Sequence, residues 1–271
     1  MDKFYTLPEI SEKCLSIVGE RYEWSHWGLV VEPSAGDGSF LTRIPTPRKV
    51  GIDIAPEHRD IINQDFLTYT PSADVGDKVL VVGNPPFGRV SSLAVKFFNH
   101  SSKWAHVIAF IVPRTFRRVS VQNRLNRNFR LVLDEEISTT PCAFNPPMMV
   151  KCCFQIWERS ETKREVVELT TVHKDWVFLR FGPKDEQGQP TPPTGADFAI
   201  RAYGGRCGEV VTTNLDRLRP KSWHWIQSKR EGLVDRFGTL EPMAFEASQN
   251  TARQNSLGRG ELVQLYSRQY D

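Results

Sequence analysis

With 271 residues, 39% of them hydrophobic and 25% charged, the chain has the composition of a folded protein and the length for one large core with material left for a second lobe. A net charge of +3 is too small to indicate a polyanionic partner by itself, and no apolar run approaches the roughly 20 residues that cross a bilayer. Met1–Ile10 lacks the apolar stretch of a secretory leader, so a soluble intracellular chain is expected, with no membrane contact. Cys14, Cys142, Cys152, Cys153 and Cys207 are odd in number and form no C-x-x-C pair, and the six histidines are scattered. Neither a disulfide framework nor a metal site is expected.

In chain order, Pro8–Gly19 spaces Ile10, Cys14, Ile17 and Val18 at helical intervals and ends on glycine, which predicts a short amphipathic helix. Valine- and isoleucine-rich runs follow at Leu29–Val31, Val50–Ile54, Val79–Val82 and Val107–Val112, each closed by a loop signal. Helix-compatible stretches lie between several of them, notably Ser91–His100 and Arg114–Arg127. Buried-type strands alternating with helices predict an α/β fold with a parallel sheet of right-handed βαβ units. After about Phe129 the texture changes. Val150–Trp157 and Val166–Leu169 read as paired strands with a polar turn between them. Gly182–Gly195 is rich in proline and glycine and reads as a mobile loop or linker, and no clear period follows it. The expected organisation is a core over residues 1–181, a linker over 182–195 and a loop-rich C-terminal extension over 196–271.

Leu29–Phe40, "LVVEPSAGDGSF", runs an apolar strand into Glu32 and Pro33, then sets Gly36 and Gly38 around Asp37. Glycines after a strand let the backbone approach a ligand and take φ > 0. Ligands of open α/β sheets sit beyond the carboxyl ends of strands near the switch point; the alternative is an ordinary strand-to-helix turn. The next run ends "GIDI", with Asp53 at its tip 21 residues after Glu32, where a carboxylate can accept both hydroxyls of a ribose. No Gly-Lys-Ser/Thr follows, which excludes a P-loop, and Glu32 and Asp37 would repel a pyrophosphate. The loop suits a ligand with a ribose and a positive charge but no phosphate, a description that S-adenosylmethionine meets. Asp65 in "NQDFL" is a third acidic tip: it either accepts from an adenine amino group, with Phe66 over the ring face, or is a turn residue.

The tetrad Asn-Pro-Pro-hydrophobic occurs twice, at Asn84–Phe87 and Asn145–Met148. Two consecutive prolines exclude a helix interior or central strand, so each tetrad is a rigid loop. The first follows the buried run Val79–Val82 and ends in an aromatic ring; the second precedes the run at Val150 and reads as a connection between strands. An exocyclic adenine amine is a poor nucleophile because its lone pair is delocalised into the ring. The Asn84 side-chain oxygen and the Pro85 carbonyl, held rigid by Pro85 and Pro86, can accept both N–H bonds and stabilise positive charge growing on the nitrogen. Phe87 can stack on the base, which in a duplex must first be flipped out.

The order and content of these motifs resemble the class I methyltransferases that modify the amino group of adenine in nucleic acid. "FYTLPEI" (Phe4–Ile10), with Thr6, is similar to their amino-terminal cofactor segment, although Leu7 stands where many relatives have proline. "EPSAGDGSF" is similar to the cofactor loop with Glu32, Ser34, Gly36 and Gly38; "GIDI" to the ribose strand with Asp53 and Ile54; "QDFL" to the adenine turn with Asp65 and Phe66. "NPPFG" is similar to the catalytic loop, with Asn84 also beside the cofactor. The resemblance covers about Phe4–Glu158. It implies S-adenosylmethionine as cofactor, no metal, and a Rossmann-like, mostly parallel seven-stranded sheet closed by an antiparallel hairpin around "VKCCFQIW". The motif order favours DNA as substrate, with RNA close behind; a catalytically inactive nucleic-acid-binding subunit and a protein-glutamine methyltransferase are further readings. Pro45 and Pro47 leave room for only a short helix after the glycine loop.

Candidate nucleic-acid contacts are cationic. Arg114, Arg117, Arg118, Arg124, Arg127 and Arg130 lie between Pro113 and Arg130 with no acidic residue among them. A helix there would set Arg114, Arg117 and Arg118 on one face, suited to phosphate or merely solvated. Pro220–Arg230 interleaves Trp223, His224 and Trp225 with Lys221, Lys229 and Arg230, a pattern for base stacking or for packing the tail onto a sheet. Asn250–Leu262, with Arg253 and Arg259, reads as a mobile substrate loop before a final helix, or as a tail.

Overall fold

The apolar runs form the strands expected of them. In a computed structural model that describes residues 4–73, 75 and 78–271, the chain divides into two compact units, Met1–Val166 and Val167–Asp271. Met1–Lys3, where the segment read for a leader begins, lie outside the described residues.

The first unit contains β1 (Tyr5–Thr6), α1 (Pro8–Arg21), β2 (Leu29–Pro33), β3 (Lys49–Asp53), β4 (Ile61–Asn63), β5 (Val79–Gly83) and α2 (Ser92–Ser101). It continues with β6 (Val107–Pro113), α3 (Val119–Gln122), β7 (Phe129–Ile137), β8 (Phe144–Asn145) and β9 (Cys152–Arg159). Seven of these strands make one sheet in the order β4-β3-β2-β5-β6-β9-β7. The first five in that order run parallel, and β9 runs antiparallel to both β6 and β7. Every residue of β2, β5 and β6 is buried, which is why these runs are continuously apolar rather than alternating. The strand order reverses between β2 and β5, so the crevice beyond their carboxyl ends is the switch point.

Several expectations need correction. The partner of β9 is not Val166–Leu169, which forms no strand, but β7. The charges of β7, Asp134, Glu135 and Glu136, hide its strand character in the sequence. Arg114–Arg127 is not one helix: a 3-10 turn at Arg114–Arg117 is followed, after extended Arg118, by the single-turn α3. Phe40–Ile44 closes as a turn, with Ile44 N donating to Phe40 O at 3.0 Å, and no helix follows the glycine loop.

The second unit has regular structure where a loop-rich extension was expected. Strands β10 (Trp176–Phe178), β11 (Phe198–Arg201), β12 (Val210–Val211) and β13 (Trp223–Ser228) form an antiparallel sheet in the order β10-β13-β11-β12. Helices α4 (Leu233–Ser248) and α5 (Arg259–Tyr270) complete it, with Trp176, Phe198, Ile226, Phe237, Leu240 and Tyr266 in the core. Trp176–Phe178 pairs with β13, so residues 167–181 belong to this unit. The 182–195 segment is a folded turn rather than a bare linker: Gly182 N donates to Thr191 O, Thr191 N to Pro183 O and Asp185 N to Gln189 O, at 2.8–3.0 Å.

Candidate functional site

Where β2 ends, the chain turns through three positive-φ residues, Ser34 (55°), Gly36 (52°) and Gly38 (83°). A Cβ on Gly36 would stand 2.7 Å from Tyr5 Cε1, so glycine here is what lets the Tyr5 ring lie over the loop. Gly36 N donates to Asp53 Oδ2 at 2.9 Å and Ala55 N to Asp53 Oδ1 at 2.8 Å. Glu57 N donates to Gly36 O at 2.8 Å, and the Tyr5 hydroxyl donates to the Glu57 carboxylate. The loop, the tip of β3 and the amino-terminal strand thus form one hydrogen-bonded assembly. Each Asp53 oxygen accepts one amide proton, and an ionised carboxylate offers about four lone-pair sites, so two hydroxyls can still be accepted. Beside it Ile54 is 64% exposed, an apolar side chain left in solvent at the strand tip. Asp37 serves its own turn, accepting from Ser39 N at 3.0 Å and Ser39 Oγ at 2.6 Å.

Glu32 lies differently from the ligand-facing acid expected of it. It is 3% exposed and accepts from Leu41 N at 2.6 Å, closing the glycine loop on itself. Burial pushes its carboxyl well above the ordinary range, against the opposing effect of the Leu41 and Phe40 amides. Asp65 is exposed and accepts from Leu67 N at 2.9 Å, leaving carboxylate capacity for a ligand. Phe66, expected to cover a ring face, is a core residue instead: 2% exposed, with its ring stacked on Phe97 at 5.0 Å. Thr6 is buried in β1.

Strand β5 delivers the first tetrad beside this assembly: a Cβ on Gly83 would stand 3.2 Å from Glu32 Cγ. Among the described residues, Asn84 Oδ1 is buried and has no hydrogen-bond partner. Leaving a buried amide oxygen unpaired costs about 1–3 kcal/mol, a cost that a hydrogen-bond donor from a ligand or a water relieves. Pro85 is buried and Pro86 and Phe87 are half-buried. Phe87 O accepts from Leu93 N at 3.2 Å and Ala94 N at 3.3 Å, which fixes the loop to the first turn of α2. Beyond Gly88, Val90 (φ 50°) and Ser91 (φ 57°) hold left-handed backbone that is uncommon without glycine, a form of strain that clusters at functional sites.

The second tetrad has another task. Asn145 pairs with Tyr5 and Phe144 with Thr6 across β8 and β1, and Leu7 N donates to Ala143 O at 3.0 Å. Asn145, Pro146 and Pro147 are exposed. This loop therefore holds the amino-terminal strand in place. Tyr5 and Glu57 were not singled out in the sequence as site residues; the usable signal was a glutamate four residues past Asp53.

The cationic candidates fare unevenly. Arg114 pairs with Glu136, and Arg117 grips Asp134 with Nε at 3.0 Å and Nη2 at 2.6 Å. The acids absent from the arginine-rich stretch are supplied by β7. Arg118 lies in extended backbone, and exposed Arg124 donates to Val90 O at 3.3 Å. Trp223 is 5% exposed, with Arg201 stacked on its ring at 4.7 Å, and Trp225 is fully buried, so neither is a stacking platform. Lys221 and Arg253 are exposed, whereas Arg259 lies on the Phe178 ring at 5.0 Å. The Asn250–Leu262 segment is tied down: Gly204 N donates to Asn255 O and Leu257 N to Ala202 O, and Leu257 is buried. The thiols of Cys152 and Cys153 are buried and pushed up by desolvation, Cys153 to about 12. Among the described residues no group of three or more His, Cys, Asp or Glu is placed to hold a metal ion, and no helix is long and apolar enough to cross a membrane.

No protein-family model and no curated protein matches the chain. Among solved structures it is similar to magnesium protoporphyrin IX methyltransferase from Synechocystis with bound SAM, at 11% identity over 56% of this chain and 79% of that one, TM-score 0.43. It is similar to PH1948 from Pyrococcus horikoshii, provisionally described as an RNA methyltransferase, at 13% identity over 59% and 87%, TM-score 0.45. A third is the plantazolicin methyltransferase BpumL in complex with SAH, at 11% identity over 57% and 84%, TM-score 0.39. The first unit, with its mostly parallel seven-stranded sheet and antiparallel final pair, has a Rossmann-like α/β fold.

Proposed function

We propose that this chain is an S-adenosylmethionine-dependent methyltransferase acting on the exocyclic N6 amine of adenine in nucleic acid, with DNA the favoured substrate. The observation that carries the reading is the buried, unpartnered Asn84 Oδ1 at the end of β5, at the head of an Asn-Pro-Pro-Phe loop and next to the glycine loop. The residues present fit the cofactor: Asp53 has acceptor capacity for two ribose hydroxyls, exposed Ile54 offers an apolar cover for its adenine, and Asp65 can accept from the adenine amine. When bound, S-adenosylmethionine supplies an electrophilic methyl group on a sulfonium.

At the acceptor, Asn84 Oδ1 and the Pro85 carbonyl accept hydrogen bonds from the two amine N–H groups and draw the nitrogen toward sp³ geometry, freeing its lone pair. The same two oxygens stabilise the positive charge that grows on nitrogen during transfer, and their rigidity means little reorganisation at that moment. Phe87 stacks on the base and fixes its plane, so orientation carries much of the rate. A general base of shifted pKa is unnecessary, because the amine proton becomes acidic as the new C–N bond replaces the methyl–sulfur bond, and it is lost to water.

The test is incubation with methyl-labelled cofactor and separate DNA and RNA pools, followed by digestion to nucleosides. Labelled N6-methyladenosine or its deoxy form is the expected product, and the productive pool assigns the polymer. Label confined to protein, or none in either pool, overturns the reading.

A further inference from the structure

We propose that the exposed segment Asn214–Ser222 of the second unit, with Arg217, Arg219 and Lys221, is a phosphate-backbone contact surface for the nucleic-acid substrate; the inference rests on the reading above. The tryptophans that the sequence offered as stacking platforms are buried, and what they do is hold this segment rigid. Trp223 and Trp225 form a core with Ala199, against which Leu215 and Leu218 pack. Trp225 Nε1 donates to Pro220 O at 3.0 Å, and Ala202 N donates to Ser222 O at 2.8 Å. Arg217 N to Asn214 O and Ser222 N to Arg219 O, at 3.1 and 3.0 Å, close two successive turns.

With the leucines turned to the core, Arg217, Arg219 and Lys221 are left exposed at every second position. Among the described residues, neither Arg217 nor Arg219 makes an ion pair or a side-chain hydrogen bond, whereas Arg114, Arg117 and Arg201 are all matched to acids. Lys221 Nζ reaches only the neutral amide oxygen of Gln189, at 3.2 Å. Asp216 is the one carboxylate of Asn214–Ser222. Exposed Phe181 follows Leu179, which packs on the same tryptophan core, and offers a ring for an unpaired base. The backbone that carries these cations is held, and because the two arginines have no internal partners, no existing ion pair is broken when they take up a phosphate. The two arginines suit bidentate contact, and neither is consumed by the fold.

The experiment measures binding of a fluorescent adenine-containing oligonucleotide, single- and double-stranded, against salt concentration. The triple variant R217A/R219A/K221A is compared with wild type and with the charge-keeping R217K/R219K. The slope of log affinity against log salt is expected to fall by about two to three in the triple variant and to stay near wild type in the lysine variant. Circular dichroism and cofactor binding are expected to be unchanged, since the three side chains support no packing. A wild-type slope in the folded triple variant overturns this surface while leaving the adenine reading standing. Absence of oligonucleotide binding by wild type overturns both, whereas binding of poly-glutamate through these residues instead overturns this surface alone.

Discussion

Asn84 and Asn145 open the same Asn-Pro-Pro triplet, and one side-chain oxygen separates them. At Asn84 it is buried and unpartnered beside the glycine loop; Asn145 is exposed on a two-residue strand paired with Tyr5 and Thr6. Asn84→Ala is therefore expected to abolish methyl transfer with cofactor affinity nearly intact, and Asn145→Ala to keep activity within a few-fold. Parallel single-turnover assays and calorimetric titrations with cofactor check both, and a fully active Asn84→Ala would refute the assignment. Glu32 invites a pH experiment. Its carboxyl is raised in the folded state by burial, so its contribution to stability is fully present below the unfolded value of about 4.3. That contribution is lost as pH rises from there through the folded value, by up to about 1.4 kcal/mol per pH unit. Glu32→Gln does not titrate and should gain on wild type across that window in urea midpoints taken at successive pH values. A difference independent of pH would count against a protonated Glu32. These positions were legible in sequence because strand ends, glycines and prolines announce themselves locally. Phe66 was misread because an aromatic beside a turn looks the same whether it faces a ligand or, as here, Phe97.

At the scale of elements, pairing over long sequence distances decides what the charged stretches do. The strands β2, β5 and β6 could be read directly, since burial on both faces demands unbroken apolar runs. Strand β7 could not, because three consecutive acids break its pattern, and their purpose emerges only when β7 lies near the turn after β6. There Arg117, Asp134, Gln155 and Trp157 form a chain: Gln155 Nε2 donates to Asp134 Oδ2 at 2.8 Å and Trp157 Nε1 to Gln155 Oε1 at 3.0 Å. The hydrogen bond to Asp134 holds the Arg117 guanidinium above its usual range. Arg117→Ala leaves a mostly buried carboxylate without its cation and should lower stability by about 1–3 kcal/mol. The salt slope of oligonucleotide binding should not change, since Arg117 is not available to phosphate. Urea unfolding and the same fluorescence titration measure both; a lower slope at unchanged stability would restore Arg117 to the interface. The second unit was hardly legible, because three of its four strands are no longer than four residues and its helices are flanked by polar turns.

For the whole molecule, the question is where one unit stops and the next begins. Composition pointed to the proline- and glycine-rich 182–195 segment, but that segment is closed by its own hydrogen bonds and lies within the second unit. On the first unit's side, Arg164 is pinned: it donates to the carbonyls of Phe129, Gln122 and Leu125 and lies over the Trp157 ring at 5.2 Å. On the second unit's side, Leu169 packs against Gly260 and His173 stacks on Trp176 at 4.1 Å. Between these anchors residues 165–168 are exposed and belong to no helix or strand, and they include Glu165 and Glu168. Proteases cut where backbone is exposed and outside regular structure rather than where composition is merely polar. Brief digestion with a glutamate-specific protease should therefore cut first after Glu165 or Glu168, with Glu186, exposed on its hydrogen-bonded turn, cut later. Mass spectrometry of the first fragments decides between the two sites. The C-terminal fragment should retain the fluorescence of buried Trp176, Trp223 and Trp225, because the core that encloses them is drawn from its own residues. First cleavage after Glu186, or a fragment whose tryptophans emit as in water, would return the boundary to the proline-rich segment.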